Sequence, residues 1–258
     1  QQSVTTVITD NDSAPTVIVT GETITEGDTL DFSVALSNPS ATATTVALTL
    51  NSGTATVGTD TTTPVQVSVD GGSSFTNVFV NLDGTFNVSV PANSTQGIIV
   101  RVPTVNDTID EPTETISLSA SAPGQTIAST AIGSILDNDN APTIAITGPA
   151  TIDEAAGIAT YTITLSNPSS TAISVDYATA NGSATAGNDY TATTGSVSFG
   201  PGETSKTITV PITNDTLFEG NESYSITLTN PSSNASIDNT QQSVTTVITD
   251  NDSAPTVI

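Results

Sequence analysis

"SATAGNDYTATTGSVSFGPGETSKTITVPITNDTLFEGNESYSITLTNP", Ser183–Pro231, decides the fold. Within it "KTITVPI" (Lys206–Ile212) and "SYSITLT" (Ser223–Thr229) alternate apolar and polar residues. That period of two turns one face of a strand inward and leaves the other in water. "GPGET" (Gly200–Thr204) and "TNPSSN" (Thr229–Asn234) are turn-forming clusters, because Gly, Pro, Asn and Ser supply the dihedral angles that turns need. Working outward, "TYTITLS" (Thr160–Ser166), "ISVDYAT" (Ile173–Thr179) and "SVTTVIT" (Ser243–Thr249) continue the alternation. About seven short strands between Thr143 and Thr249, with no helical pattern, predict a two-sheet, immunoglobulin-like antiparallel β-sandwich.

The plan occurs twice. "VALSNPSATATTVALTL" (Val34–Leu50) parallels "ITLSNPSSTAISVDYAT" (Ile163–Thr179), and "VPTVNDTIDEPTETISL" (Val102–Leu118) parallels "VPITNDTLFEGNESYSI" (Val210–Ile226). The first copy is longer by an insertion near 62–85, in which "DGGSS" and "LDG" read as turns of extra strands. Gln1–Ile18 recurs letter for letter as Gln241–Ile258, and a looser copy, "IGSILDNDNAPTIAI", occupies Ile132–Ile146. Such recurrence is the mark of an extended array whose domains touch mainly their neighbours. The reading is therefore all-β: tandem sandwiches at 13–139 and 140–252. Residues 1–12 are expected to be the final strand and linker of a preceding repeat, and 253–258 the start of the next. On that reading Ser3–Thr9 is a strand that pairs with another copy.

Composition narrows the partners. The 258 residues carry 26 acids, two basic residues and a net charge of −24. Nucleic acid requires a Lys/Arg surface to displace its counterions, and anionic membrane surfaces need the same. The chain has no Cys or His, hence no disulfide framework, no thiolate site and neither of the usual zinc ligands. No apolar run approaches the length of a membrane helix.

The acids gather at strand ends. In the second copy they are Glu154, Asp189, Asp215, Glu219, Glu222, Asp250 and Asp252; in the first they are Glu26, Asp60, Asp107, Glu111, Glu114, Asp137 and Asp139, with Asp10 and Asp12 ahead of them. Loops at one end of a sandwich converge, and converging carboxylates repel unless a cation joins them. Calcium suits an oxygen-only set, taking about six to eight oxygens from carboxylates and carbonyls; magnesium keeps more of its water.

With these residues in view, Thr151–Asp252 resembles a Calx-beta domain, the calcium-binding module of sodium–calcium exchangers that recurs in bacterial adhesins. The first copy resembles it over Glu26–Asp60 and Asn87–Asp139. The resemblance implies that Glu154 is the family's early glutamate and Asp189 its loop aspartate before tyrosine. It places the paired aspartates on Asn214 and Asp215, two glutamates on Glu219 and Glu222, and the terminal triplet on Asp250, Asn251 and Asp252. Two acids have become amides here. Asn106 and Asn138 make the same departures in the first copy, and Asp60 is followed by Thr, not Tyr. Less negative charge implies weaker binding and the loss of a calcium site. "LDNDNAPTI" is also similar to the calcium-binding linker of cadherins, and Pro142 and Pro255 limit linker freedom.

The expected function is a calcium-stiffened extender repeat of a long extracellular bacterial adhesin of repeats-in-toxin type, holding a binding tip away from the cell. Its partners would be neighbouring repeats or other copies in a fibre. The alternative is a self-assembling surface-layer, sheath or filament protein. No enzymatic role is expected: a two-carboxylate glycosidase would want a sugar-stacking platform, yet the chain has no Trp and four Tyr. Tyr161, Tyr177, Tyr190 and Tyr224 read as core or corner residues.

Overall fold

A computed structural model describes all residues except 1, 2, 4, 8, 10, 257 and 258. It divides into two units, Gln1–Asp107 with Pro112–Asn138, and Thr108–Glu111 with Asp139–Ile258. The first unit holds β1 (Val17–Thr20), β2 (Thr23–Thr25), β3 (Thr29–Leu36), β4 (Thr44–Ser52), β5 (Val65–Ser68), β6 (Thr76–Val78), β7 (Thr85–Val90), β8 (Ile98–Pro103), β9 (Glu114–Ser121) and β10 (Ser129–Leu136). The second holds β11 (Thr143–Thr147), β12 (Thr151–Asp153), a 3-10 turn (Glu154–Ala156), β13 (Ile158–Leu165), β14 (Ile173–Asn181), β15 (Thr194–Phe199), β16 (Ser205–Pro211), β17 (Glu222–Thr229), β18 (Ser236–Ile237) and β19 (Ser243–Thr249).

Each unit is a sandwich of two sheets. The sheets run β1-β3-β8-β5-β6 and β2-β10-β9-β4-β7 in the first, and β16-β13-β11-β18 and β12-β19-β17-β14-β15 in the second. Alternation dictates the packing: Val46, Leu48 and Leu50 of β4 point inward, as do Ala159, Tyr161 and Ile163 of β13. The burial of such rows stabilises by roughly 25 cal/mol per Å² of apolar surface. Registers match between the units, with Leu30 opposite Val102 and Phe32 opposite Val100, just as Ala159 faces Val210 and Tyr161 faces Ile208.

The insertion near 62–85 forms the β5–β6 hairpin, which extends the first sheet beyond β8, with "DGGSS" as its turn. The second unit instead lengthens the opposite edge, where β18 runs parallel to β11. In both units the first strand pairs in one sheet, after which the chain crosses to pair parallel with the last strand of the other: β2 with β10, and β12 with β19. The crossings occur at Gly21 and Gly148, where a Cβ would collide with the Ile132 carbonyl and the Tyr161 ring respectively.

Ser243–Thr249 is β19, between β17 and β12. The same letters at 3–9 behave otherwise. Of the described positions there, Ser3, Thr5, Thr6, Val7 and Thr9 lie in no strand, and Val7 is 80% exposed. A strand exists only where neighbours accept its backbone hydrogen bonds, and the partner expected for this segment is another copy.

Candidate metal centre

The parallel pairing of β12 with β19 sets Asp153 opposite Thr249, and so brings the residues after each strand, Glu154 and Asp250, side by side. Asp153 caps the intervening 3-10 turn, its Oδ1 accepting from Ala155 N at 2.8 Å, and Gly157 closes the turn at φ 72°. Glu154 is thereby held 94% buried, with its exposure only 6%. Asp250 is fixed by backbone donors: Glu219 N and Gly220 N each lie 2.8 Å from Oδ2, and Asp252 N lies 2.8 Å from Oδ1. These N–H groups, that of Asp252 foremost, hold the Asp250 carboxyl below the usual range.

Asp189 sits in the loop between β14 and β15. Its Oδ2 accepts from Thr185 N at 2.6 Å, and its carbonyl accepts from Thr213 N at 2.9 Å. Glu222 opens β17 opposite Ile248. Two groups of carboxylates result, Glu154 with Asp250 and Asp252, and Asp189 with Glu219 and Glu222; within each, one oxygen from every residue lies within 4.8 Å of the others. Glu154, Asp189, Asp215, Glu219 and Glu222 line a cleft of about 10 Å³, space for one small sphere. Asp215 is turned partly to its own loop, accepting from Leu217 N at 2.7 Å.

Negative charge is concentrated at this end of the unit. Burial, then Asp252, Asp250 and Asp215, pushes the Glu154 carboxyl up. Burial and Asp189 do the same to Glu222, and desolvation with Asp189, Asp215 and Asp250 to Glu219. Glu154 Oε1 and Asp252 Oδ2 are buried without a hydrogen-bond partner, an arrangement that costs free energy unless something positive meets them. The protein's own cations are engaged elsewhere: Arg101 with Asp31 at 2.9 Å and Lys206 with Glu203 at 2.7 Å. An all-oxygen set fits a hard cation such as calcium.

The first unit builds its loops in the same way. Asp60 Oδ2 accepts from Thr56 N at 2.6 Å and its carbonyl from Val105 N at 2.9 Å. Glu114 opens β9 opposite Ile135, and burial, then Asp60 and Asp107, pushes its carboxyl up. Glu26 follows β2 and is buried; Asp137 follows β10. Glu111 and Asp139 group with the second unit. Asp12 is exposed, and Asp10 lies outside the described residues. Sequence reasoning overlooked Thr56 and Thr185, which orient the loop aspartates. The donor in each case is the main-chain N–H four residues before the Asp, in "TATVGTD" (Thr54–Asp60) and "SATAGND" (Ser183–Asp189), and only Thr185 adds its hydroxyl, at 3.2 Å. Sequence reasoning also overlooked Asp153, whose role depends on a short turn.

The Calx-beta domain model matches residues 10–82 and 137–252. Sodium/calcium exchanger 1 of Canis lupus familiaris is 48% identical over 56 residues, 22% of this chain and 6% of the exchanger. The chain thus spans a small part of the curated relatives it matches. Among solved structures, the apo-form Calx CBD1 domain is 29% identical, covering 43% of this chain and 99% of that one at a TM-score of 0.40. CBD12 from CALX1.2 is 18% identical, covering 89% and 99%, also at 0.40.

Proposed function

The chain belongs to the Calx-beta family, and on that premise we propose that it is a calcium-stiffened extender repeat of a long extracellular bacterial adhesin or fibre, spacing a binding tip from the cell. The observation that carries the calcium part is Glu154, a carboxylate 94% buried, its Oε1 unpartnered, beside Asp250 and Asp252. Glu154, Asp250 and Asp252 would hold one ion, and Asp189, Glu219 and Glu222 a second. Glu26, Asp60, Asp107 and Glu114 would serve the first unit. A bound ion would supply the positive charge that offsets the repulsion among these carboxylates. The extender part is supported by the tandem domains and by the verbatim recurrence of Gln1–Ile18 at Gln241–Ile258. Neighbouring repeats, or other copies in a fibre, are the partners of this reading, and the role is non-enzymatic.

The test is calcium titration by calorimetry on the whole chain, beside Glu154→Gln. The wild type should bind calcium and melt higher in it. The variant should bind fewer ions, yet be no less stable than wild type in chelator, since it loses a buried charge. Small-angle scattering should give a narrower distribution of maximum dimension in calcium than in chelator. Heatless titration with an unchanged melting temperature would falsify the calcium reading; identical scattering in both conditions would end the extender reading.

A further inference from the structure

Two asparagines that stand next to acids of the candidate site meet each other, and they do so in both units. Asn251 Nδ2 donates to Asn214 Oδ1 at 3.0 Å, with a longer contact to Asp153 Oδ1 at 3.4 Å. Asn138 Nδ2 donates to Asn106 Oδ1 at 2.7 Å, and to the Glu26 carbonyl at 3.3 Å. Nothing in the linear sequence joins them: each pair links the residue before an acid in one loop, Asp107 or Asp215, to the middle of an acidic triplet after the last strand. We propose that Asn106–Asn138 and Asn214–Asn251 are metal-independent clasps, each filling with one hydrogen bond a position where paired carboxylates would require another cation.

The chemistry follows from the groups. Two aspartates at this separation could not both stay ionised without a cation between them: they would repel, or one would have to hold a proton. An amide offers a donor and an acceptor in one side chain, so two amides close on each other without an ion. The backbone is shaped around the first clasp. Gly27, at φ 82°, sits where a Cβ would come within 2.9 Å of Asn106 Cβ, so a larger residue there would displace the clasp. In the second unit the clasp fastens the triplet between Asp250 and Asp252. Asp250 in turn holds the Glu219 and Gly220 amides. The loop and the triplet therefore stay in register before calcium arrives, and each unit takes fewer ions than an all-acid site would. The ion-count half of this inference rests on the calcium reading above; the clasp itself does not.

Hydrogen exchange of the Glu219, Gly220 and Asp252 amides, on the whole chain in excess chelator, tests the clasp alone. Asn214→Ala and, separately, Asn251→Ala should each speed that exchange about fivefold, the equivalent of one hydrogen bond of ordinary net strength. Asn214→Asp combined with Asn251→Asp should bind one more calcium per chain than wild type and exchange faster in chelator. Exchange unchanged in both alanine variants overturns the clasp. An unchanged ion count in the double aspartate variant overturns the substitution of bond for ion. If wild type takes up no calcium, the calcium reading falls, and the chelator experiment still decides the clasp.

Discussion

The two sandwiches share a backbone register and fill it with different chemistry. Phe32, Ile116 and Gly133 of the first unit stand where Tyr161, Tyr224 and Thr246 stand in the second, as the pairings Phe32–Val100 and Gly133–Ile116 against Tyr161–Ile208 and Thr246–Tyr224 establish. Likewise Thr61 bridges Thr104 where Tyr190 bridges Ile212. In the second unit the Tyr161 hydroxyl lies 2.7 Å from that of Tyr224 and 2.6 Å from Thr246 Oγ1, which donates to the Pro149 carbonyl at 2.8 Å. Tyr190 stacks on Tyr224 with ring centroids 4.5 Å apart and donates to Asn181 Oδ1 at 2.6 Å. As expected of core residues, Tyr161, Tyr190 and Tyr224 are buried; Tyr177, expected with them, is only half-buried and packs against that core from its side. The first unit needs no such network: with glycine at 133, Leu30 and Phe32 move into the space that a side chain would take. A buried hydroxyl must bring its partners with it, whereas an apolar ring needs only volume. The acidic ends, by contrast, keep the same loop construction in both units, and that points to a shared task there and none in the cores.

The largest expected effect bears on what the units share. Without calcium, both should lose stability as pH rises. The raised carboxyls, Glu154, Glu219 and Glu222 in one unit and Glu114 in the other, favour folding while protonated. That contribution is intact below the ordinary glutamate value of roughly 4.3 and is lost as pH climbs through the elevated folded values. Calcium should reverse the trend, adding about 2.7 kcal/mol per ion at a hundredfold excess over Kd. Calorimetry at pH 5 and pH 7, with calcium and with chelator, checks this. A unit indifferent to both would break the equivalence of the two ends.

Next in size is an exchange of core residues. Gly133→Thr should destabilise the first unit by about 3 kcal/mol through overpacking, since its Cβ would fall 2.5 Å from a Leu30 methyl and 2.9 Å from Phe32 Cζ. Chemical denaturation showing a change near zero would mean that the two cores are interchangeable. A smaller asymmetry is expected at the rings. Tyr161→Phe removes one hydroxyl from a satisfied network and should cost about 1 kcal/mol, while Phe32→Tyr should cost about 2 kcal/mol by burying a hydroxyl without a partner. Equal costs would mean that the hydroxyl network does not distinguish the two cores.

The smallest effects concern the two cations. Arg101 makes a two-pronged contact with Asp31 at 2.9 Å and lies 4.0 Å from the centre of the Phe75 ring. Lys206 reaches only the half-exposed Glu203, three residues away. Arg101→Met should cost about 1 kcal/mol and Lys206→Met about 0.3 kcal/mol, both measured at low salt. A larger loss for Lys206 would reverse the ranking.

Much of this was legible in the residues. "TYTITLS", "KTITVPI" and "SYSITLT" became the cores of β13, β16 and β17, because alternation is sufficient to define a half-buried strand. The acids at strand ends announced an oxygen-rich site, since the loops of a sandwich converge. The burial of Glu154 was hidden, because it depends on the parallel pairing of β12 with β19 and on the cap at Asp153. The meeting of Asn214 with Asn251 was hidden too: their separation in sequence is long, and amides carry no charge to betray a shared purpose.

The repeated words divide what sequence decides from what it does not. "SVTTVIT" is β19 at Ser243–Thr249, hydrogen-bonded to β17 on one side and β12 on the other. At 3–9 the described residues with the same letters form no strand. The pattern by itself determined the capacity to be a strand, which face would turn inward, and that acids would follow it. Whether the strand forms, and what its acids then meet, was decided by tertiary structure. A strand's N–H and C=O groups must find partners on other segments, and an isolated stretch gains too little to offset the loss of its conformational entropy.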